Sequence, residues 1–334
     1  MHALLCRQLC DWDQLEIAEV PAPAMVAHGV RIAVHYASVS FAMSLQVAGR
    51  YQRTYPLPFT PGTEVAGEVL EVAPGVTQVK PGDRVLALVD WGGLAEQVVI
   101  SAHTVFAVPA GLPLNPGIHL PNAYGTGYGG LKWRGSLAAG ETLLVLGAAG
   151  GVGSAAVELG RVMGAQVIAA ASTPEKRAFA LAHGAHTAVG YDGLREAVKA
   201  ATGGRGVDLV YDPVGGTAFD DALRCVAPFG RIITMGFASG TVPQVPANLL
   251  LVKNIAVIGH NMGLYFGWGQ TDERARHEPR MRAMMTQVFD WTLQGSLNPH
   301  VSHCFPLSGF REAMRVIRAR EAQGKVIVRI GGGP

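Results

Sequence analysis

Short apolar segments, each bounded by glycine or proline, follow one another through the first 120 residues. Four of them read GVRIAVHYAS, TEVAGEVLEVAPGV, PGDRVLALV and LAEQVVIS. Apolar and polar positions that alternate between turn signals are typical of strands in an antiparallel sheet. The pattern therefore predicts a small, strongly bent β region over residues 1–120.

From about residue 121 the chain alternates between buried strands and helices. The six predicted strands are 143–147, 165–171, 186–190, 207–212, 231–236 and 255–260. One helix, 174–183, opens with Thr173 as N-cap and Pro174 as first residue and ends at Gly184, and another, 216–227, stops at Pro228. Strands joined by helical crossovers predict a doubly wound parallel sheet, whose ligand lies beyond the carboxyl ends of the strands.

The last part of the chain carries two further helical segments, near 272–294 and 308–322, and a final strand, KVIVRI. We expect these elements to return to the first β region.

A glycine-rich run, LVLGAAGGVG (144–153), joins the first strand of the parallel sheet to a helix. The dinucleotide fingerprint G-x-G-x-x-G falls on Ala148, Gly150 and Gly153, with alanine in the first place. Gly150 would let the backbone approach a pyrophosphate, and Gly153 would let the helix pack closely on its strand. Amides at the helix N-terminus would hold the anion. An ordinary tight turn between strand and helix is the alternative.

Composition narrows the class of protein. The chain has 334 residues, 49% hydrophobic and 16% charged, with a formal charge of +2. These values exclude a disordered chain and argue against a nucleic acid or a membrane surface as partner. We expect no signal peptide and no membrane span, and the four cysteines form no paired motif. We therefore expect a cytoplasmic protein with reduced thiols.

The segment AASTPEKR follows the second strand of the parallel sheet. In NAD-binding proteins an acidic residue here holds the ribose 2′-hydroxyl. Ser172 occupies that place, and Lys176 and Arg177 follow one helical turn later. Without the carboxylate, a basic side chain can bind a 2′-phosphate, so the segment favours NADPH over NADH. The alternative is that Lys176 is only a solvated helix residue.

Taken together, these segments resemble the zinc-free quinone oxidoreductase branch of the medium-chain dehydrogenase/reductase superfamily, over essentially the whole chain. The motifs that carry the resemblance are LPFTPGTEVAGEV (57–69), VKPGDRVLAL (79–88), NAYGTGYGGL (122–131), LAAGETLLVLGAAGGVGSAAVELG (137–160), VDLVYDPVGG (207–216) and GKVIVRI (324–330).

The resemblance implies an α/β protein in which a Rossmann domain is inserted into a GroES-like β-barrel catalytic domain. The corresponding segments are 1–120, 121–262 and 263–334, the last of which returns to the catalytic domain. NADPH is the implied cofactor. A homodimer joined through the strand 255–260 is the implied assembly.

The resemblance also assigns cofactor contacts. Tyr191 and Arg320 would join Ser172 and Lys176 around the 2′-phosphate, although a surface tyrosine and an ordinary helix charge are equally simple interpretations. The full set of implied cofactor contacts is Phe41, Thr126, Tyr128, Gly150, Gly151, Val152, Gly153, Ser172, Lys176, Tyr191, Gly236, Phe237, Ala238 and Arg320.

Zinc-dependent relatives use a cysteine and the histidine of a Gly-His-Glu motif as metal ligands. Here the motif reads Gly62, Thr63 and Glu64, the cysteine region reads SVSFAMS, and residues 85–105 contain no cysteine. We therefore expect no metal site, because the thiolate and imidazole that zinc prefers are missing. The segment HVSHC (300–304) offers three candidate ligands but no fourth at ligand spacing.

A metal-free site suits hydride transfer to an acceptor that is already electron-poor, such as a quinone or an enone. The resemblance places Tyr51 at a cleft-facing tyrosine, so its phenol is a candidate donor to the acceptor oxygen. Half-buried packing is the alternative. Ser40 and Met43 replace an Asn-x-x-Asp pair of relatives, which predicts a less polar pocket. Tyr265 is a further catalytic candidate, as an aromatic wall of the pocket, or else an interface or core residue.

The sequence allows two kinds of small-molecule acceptor, a quinone or an enone, and therefore two enzyme classes. An NADPH:quinone reductase is the leading hypothesis, and an enoyl or alkenal reductase that saturates an activated double bond is the alternative. The substitutions at Ser40 and Met43 also allow a third hypothesis, a protein that binds NADPH but has lost catalysis.

Overall fold

The computed structural model describes residues 1–331, so the end of the predicted 263–334 segment lies outside the described residues. The chain divides into two compact units. Of the described residues, the first unit contains 1–122, 263–293 and 299–331, and the second contains 123–262 and 294–298. The segment 294–298 thus belongs with the second unit, although the sequence grouped it with the C-terminal part.

The first unit begins with a set of mostly antiparallel strands. In chain order its elements are β1 (His2–Leu5), β2 (Glu16–Glu19), β3 (Gly29–Val39), α1 (Phe41–Val47), β4 (Glu64–Val72), β5 (Arg84–Leu88), β6 (Gln97–Ser101), β7 (Val105–Ala107) and α2 (Leu114–Gly117). β1 pairs with β2, and β3 pairs with both β4 and β6. The four strands predicted from the sequence coincide with β3, β4, β5 and β6.

The second unit is built on a parallel sheet. Its elements are α3 (Gly125–Tyr128), β8 (Thr142–Leu146), α4 (Gly151–Val162), β9 (Gln166–Ala170), α5 (Pro174–Ala182), β10 (Thr187–Val189), α6 (Leu194–Ala201), β11 (Val207–Asp212), α7 (Gly216–Cys225), β12 (Val226–Thr234), α8 (Ala247–Lys253) and β13 (Ala256–Gly259). The strand order is β10-β9-β8-β11-β12-β13, with every pairing parallel. The predicted doubly wound sheet is confirmed.

One predicted boundary is wrong. The helix expected over 216–227 ends at Cys225, and Pro228 lies inside β12 instead of stopping the helix. Val226 already pairs with Val207 at the start of β11, and the register then shifts before Arg231 pairs with Leu209. An irregular strand tolerates a proline because the ladder hydrogen bond is already interrupted.

The C-terminal elements complete the first unit, as the sequence predicted. They are α9 (Arg274–Leu293), β14 (Val301–Pro306), α10 (Phe310–Arg318) and β15 (Lys325–Arg329). β15 pairs antiparallel with β3, and β14 adds to β15 in parallel. No helix within residues 1–331 combines the length and the hydropathy needed to cross a bilayer.

Each unit has its own apolar core. In the second unit Leu144, Val210 and Ile232 lie on one face of the sheet and pack with Phe219 of α7. The strands that carry these residues are continuous apolar runs, as expected for a parallel sheet that is covered on both faces.

A buried ion pair lies inside the first unit. Lys325 Nζ is 2.5 Å from Glu64 Oε2, and Asn122 Nδ2 donates to Glu64 Oε1 at 2.7 Å. The side chains of Lys325 and Glu64 are 8% and 2% exposed. The pair therefore links β15 to β4 in a place where neither charge reaches bulk water.

We expect Lys325→Met to lower the free energy of unfolding by about 3–5 kcal/mol, because it leaves the Glu64 carboxylate buried without its cation. Urea unfolding monitored by tryptophan fluorescence measures the loss. In the double variant Glu64→Gln/Lys325→Met, the uncharged amide removes the need for a cation, so most of the stability should return. Equal or greater loss in the double variant would contradict this account.

Candidate functional site

A tight glycine turn joins β8 to α4. Gly147 follows the strand in a left-handed conformation with φ of 62°, and Gly150 is the N-cap of α4. The Gly150 N–H donates to the Gly147 carbonyl at 2.9 Å, and the Ala148 N–H donates to the Ala170 carbonyl at 3.1 Å. The turn is therefore held by its own backbone and by the end of β9.

Close packing fixes the identity of Gly153. A Cβ built on Gly153 would lie 2.1 Å from the Gly147 carbonyl oxygen, which no side chain can tolerate. A Cβ on Gly150 would lie 3.4 Å from the same oxygen, which is an ordinary contact. The packing role expected of Gly153 is present, whereas a pyrophosphate beside Gly150 stays a prediction.

The first turn of α4 presents the amides of Gly151, Val152 and Gly153. The N–H groups of a helix point toward its N-terminus, so these three amides face the end at which α4 begins. α4 is 12 residues long, so its dipole adds positive potential at the same end. This combination is suited to binding a phosphate group.

A pocket of about 450 Å³ lies where β9 and β10 end. It is lined by Ser172, Arg177, Gly190, Tyr191 and Asp192. Ser172 lines this pocket, and its contact with a cofactor stays a prediction. The cation in the lining is Arg177 instead of Lys176. The backbone N–H of Lys176 caps α5 by donating to the Thr173 hydroxyl at 3.3 Å.

Tyr191 contacts the glycine turn as well as the pocket. Its hydroxyl accepts the N–H of Gly147 at 2.8 Å and faces the Ala170 carbonyl at 3.4 Å. The side chain therefore supports the turn that leads into α4. Sequence reasoning did not find this role, because nothing in the spacing between Gly147 and Tyr191 indicates the contact.

Asp212, the last residue of β11, is fully buried. Its Oδ1 accepts the N–H groups of Val214 and Gly215 at 2.8 and 2.9 Å. Its Oδ2 is buried with no hydrogen-bond partner among residues 1–331. Burial raises the pKa of this carboxyl to about 6, against the lowering effect of the two N–H groups.

The loop 236–240, which contains Gly236, Phe237 and Ala238, is tied to the turn that Asp212 holds. The Ala238 N–H donates to the Pro213 carbonyl at 3.1 Å, and the Ser239 N–H donates to the Val214 carbonyl at 2.9 Å. The buried carboxyl therefore positions, through one turn, the loop expected beside the nicotinamide ribose.

The segment with Thr126 and Tyr128 is an unusual helix. α3 lies between two π-helical turns, Leu120–Tyr124 and Gly129–Arg134. His260 Nε2 is 3.2 Å from the Thr126 carbonyl, and burial lowers the pKa of His260 to about 4. A neutral imidazole with its proton on Nε2 donates to that carbonyl, so His260 fixes the backbone at Thr126. The ring of Tyr128 meets Trp133 edge-on at 5.7 Å.

The three catalytic candidates belong to the first unit. Ser40 is the N-cap residue of α1, but its hydroxyl makes no capping bond. Tyr51 is half-buried, and burial raises its pKa. Tyr265 packs its ring on His277 of α9 at 4.8 Å. Met43 is 2% exposed within the apolar core, so the expectation that it makes a pocket less polar is wrong.

The remaining residues of the first unit that were predicted to contact the cofactor are exposed to solvent. Phe41 begins α1 and is 43% exposed. Arg320 lies just beyond α10, exposed and with φ of 57°. Their roles toward a cofactor stay predictions.

The segment that carries Tyr51 is held by a charged cluster that the sequence did not reveal. Arg53 donates to Asp90 Oδ1 at 3.3 Å, and Arg274 donates to both Asp90 oxygens at 2.9 and 3.1 Å. The Arg53 guanidinium also lies 5.5 Å from the ring of Tyr55. Because Asp90 and Arg274 are far apart in the chain, only the fold brings them together.

The motif that holds zinc in some relatives is used differently here. Thr63 stands in the histidine position, and Glu64 is committed to Lys325 and Asn122. Residues 1–331 contain no group of three or more histidine, cysteine, aspartate or glutamate side chains placed to hold a metal. The donors at this position are not those that zinc prefers.

Two family models match the chain. One, described as zinc-binding dehydrogenase, covers residues 151–276, and the other, described as alcohol dehydrogenase GroES-like domain, covers 26–110. Quinone oxidoreductase-like protein 2 of Bos taurus is 38% identical over 330 residues, 98% of this chain and 92% of that protein. This chain belongs to the medium-chain dehydrogenase/reductase superfamily.

Solved structures agree with this membership in the quinone oxidoreductase-like part of the superfamily. A probable oxidoreductase from Mycobacterium abscessus is 34% identical, with a TM-score of 0.87 over 98% of both chains. The quinone oxidoreductase of Thermus thermophilus, solved also with NADPH, is 32% identical, with a TM-score of 0.82 over 98% of this chain and 100% of that chain.

As a member of this superfamily, the chain is an oxidoreductase of a group that uses nicotinamide cofactors. Two features of the second unit fit such a cofactor: the close approach of α4 to the glycine turn, and the pocket where β9 and β10 end.

The titrations of Asp212 and His260 should affect stability in opposite directions. The folded pKa of Asp212, about 6, lies above its ordinary 3.8. Its contribution to the free energy of unfolding therefore falls as pH rises from about 4 to 6. The folded pKa of His260, about 4, lies below its ordinary 6.5. Its contribution to the free energy of unfolding therefore falls as pH drops from about 6.5 to 4. Each contribution amounts to about 3 kcal/mol.

We therefore expect Asp212→Asn to gain stability relative to wild type as pH rises from about 4 to 6. His260→Gln should gain relative stability as pH falls through a similar range. Urea unfolding at several pH values measures both differences. If the difference in the free energy of unfolding between a variant and wild type does not change with pH, the replaced residue does not have the shifted pKa described here.

Proposed function

We propose that this chain is an NADPH-dependent, metal-free reductase that transfers hydride to a quinone. When bound, NADPH supplies the hydride from its nicotinamide ring. The observation that carries the proposal is the pocket where β9 and β10 end, in which Ser172 replaces an acid and Arg177 adds a cation. Asp192 also lines the pocket, but serine takes the place of the acid that holds a ribose 2′-hydroxyl after the second strand, so the cation favours a phosphorylated adenosine.

The second unit supplies the groups that would bind and orient the cofactor. The amides of Gly151 and Val152 would hold the pyrophosphate, and the loop 236–240 would support the nicotinamide ribose. Asp212 and His260 hold the loop and the Thr126 backbone in place through hydrogen bonds within the protein itself. Such preorganisation lowers the entropy cost of binding.

The residues of the first unit support metal-free chemistry in this proposal. Alcohol oxidation needs a Lewis acid to acidify a hydroxyl, whereas hydride addition to a quinone needs only a group that stabilises the developing oxyanion. The Tyr51 phenol is protonated at neutral pH, and burial raises its pKa further above the ordinary 10. Tyr51 can therefore donate a proton or hydrogen bond to the acceptor oxygen, with the Ser40 hydroxyl as a second donor.

We also propose that the chain forms a homodimer through the outer edge of the parallel sheet. β13 is the last strand in the sheet order, with β12 as its neighbour. On α8, the preceding helix, Leu251 and Val252 are 79% and 77% exposed. An edge strand, and a helix with exposed apolar side chains just before it in the chain, are surfaces that a second copy could cover.

We expect NADPH oxidation to be faster with a panel of quinones than with enones or enoyl thioesters, each measured against its uncatalysed background. NADH under the same conditions should be a weaker donor because it lacks the 2′-phosphate. A quinone rate equal to background together with fast enone reduction would make this chain an enoyl or alkenal reductase. Tight NADPH binding without turnover on either panel would indicate a binding protein.

Tyr51→Phe and Tyr265→Phe distinguish the two tyrosine candidates. We expect Tyr51→Phe to lower kcat about tenfold or more while the Kd for NADPH stays unchanged, because only the proton donor is lost. Tyr265→Phe should have a smaller effect, since its ring packs on His277. Equal kcat values for wild type and Tyr51→Phe would assign proton donation to water or another group.

A further inference from the structure

Glu158 is a buried carboxylate outside the candidate cofactor site. It lies in the second half of α4 and is 2% exposed. Its Oε1 is 2.6 Å from Nδ1 of His183, the C-cap residue of α5. Its Oε2 accepts the Tyr124 hydroxyl at 2.7 Å and the Asn298 N–H at 2.8 Å. A buried carboxylate needs such donors, so Glu158 joins the three segments that supply them to α4.

One of these donors belongs to the segment predicted to face the nicotinamide. Tyr124 ends the π-helical turn Leu120–Tyr124 and directly precedes α3, which carries Thr126 and Tyr128. It is 1% exposed, and burial beside the Glu158 carboxylate raises its pKa well above the ordinary 10. The hydroxyl is therefore the donor of the bond, and it ties the start of α3 to α4.

α3 lies close to α4 beside this bond. A Cβ built on Gly127 would lie 2.7 Å from Cδ1 of Leu159, the residue after Glu158. His260 is a second anchor, because its ring holds the Thr126 carbonyl at 3.2 Å. α3 has only four residues between two π-helical turns, and a helix this short is not stable by itself. Its backbone position therefore depends on these anchors.

The other two donors to Glu158 belong to segments that carry no predicted nicotinamide contact. His183 ends α5, and Asn298 belongs to 294–298, the stretch in which the chain returns to the second unit. The carboxylate thus binds α3 through Oε2 and α5 through Oε1. Because the two oxygens serve different segments, their roles can be separated by substitution of the donors.

We propose that Glu158 is a positioning residue for hydride transfer, which sets the place of α3, and with it the nicotinamide ring, through the Tyr124 hydroxyl. The inference rests on the reductase function proposed above. Glu158 acts without contact to cofactor or acceptor, since its carboxylate is buried against Tyr124, His183 and Asn298.

A comparison of two ligands tests this inference. NADPH and 2′-phospho-ADP-ribose differ in the nicotinamide ring, so the ratio of their Kd values reports how well that ring is held. Calorimetry gives both Kd values, and kcat is measured with the acceptor that wild type reduces fastest. The variants are Tyr124→Phe, Glu158→Leu, the double variant of these two, Glu158→Gln and His183→Gln. Urea unfolding establishes that each variant is folded.

Tyr124→Phe removes only the hydroxyl donor to Glu158. It should lower kcat about three- to thirtyfold and weaken NADPH about two- to tenfold, because a small displacement of the reacting ring slows transfer. The Kd for 2′-phospho-ADP-ribose should change less than about twofold. Glu158→Leu should show the same selective loss, and the double variant should lose no further kcat, since both changes break one bond.

The remaining two variants are controls. Glu158→Gln should keep most of kcat, because its amide oxygen can still accept the Tyr124 hydroxyl while its NH₂ group donates to a neutral His183. His183→Gln is the matched control, since it changes a donor to the same carboxylate on the side away from α3. It should leave kcat and the Kd for NADPH within about twofold of wild type.

Several results would overturn the inference. Wild-type kcat and NADPH affinity in Tyr124→Phe would refute it, while acceptor reduction by wild type would leave the proposed function standing. Equal weakening of NADPH and 2′-phospho-ADP-ribose in Tyr124→Phe would refute it as well, because the bond would then only maintain the fold. A loss of kcat in His183→Gln as large as in Tyr124→Phe would show that the effect does not pass through α3.

Failure of the proposed function gives a different result. If wild type binds NADPH but reduces no acceptor, the proposed reductase function is wrong, and the ratio of the two Kd values in Tyr124→Phe still decides whether Glu158 positions the ring. If wild type binds neither ligand, both proposals are refuted. If Glu158→Leu does not fold, Tyr124→Phe and His183→Gln decide the inference.

Discussion

The packing of α4 against the Gly147 carbonyl is the contact on which the candidate cofactor site depends. With a Cβ at Gly153 only 2.1 Å from that oxygen, the helix start and the strand end can meet only if residue 153 is glycine. The close approach places the first-turn amides of α4 directly beyond β8. Because Tyr191 and the end of β9 bind the same turn, a change in this contact would also reach the neighbouring pocket.

Polar groups at the ends of neighbouring strands complete this arrangement. Asp212 satisfies the amides of the turn after β11, and the turn holds the loop after β12. His260, after β13, holds the Thr126 carbonyl. Both side chains are buried, and burial disfavours the charged form of each, which raises the pKa of the acid and lowers that of the imidazole. Fixed dipoles and amides thus border the predicted ligand site on several sides.

Within the first unit, charged side chains that are far apart in sequence are brought together in two places. Glu64 meets Lys325, and Asp90 meets Arg274 and Arg53. Glu64 is buried and needs a cation nearby, since an unpaired buried charge is costly. Asp90 is partly exposed and is paired with two arginines. The first pair joins strands of the sheet, and the second supports the segment that carries Tyr51, the candidate proton donor.

Local sequence determined much of this protein. The apolar runs predicted the parallel strands, Thr173 and Pro174 predicted the start of α5, and the glycine run predicted the turn before α4. These elements can be predicted locally because each depends on neighbouring residues. The sequence pattern also identified the superfamily. Tertiary structure decided the features that depend on contacts between residues far apart in the chain. These are the early start of β12 and the burial of Met43 in a core. They also include the presence of Arg177 instead of Lys176 in the pocket wall, and the bond from Gly147 to Tyr191. Side-chain direction and long-range contact are set by packing of the whole chain, and no local pattern encodes them.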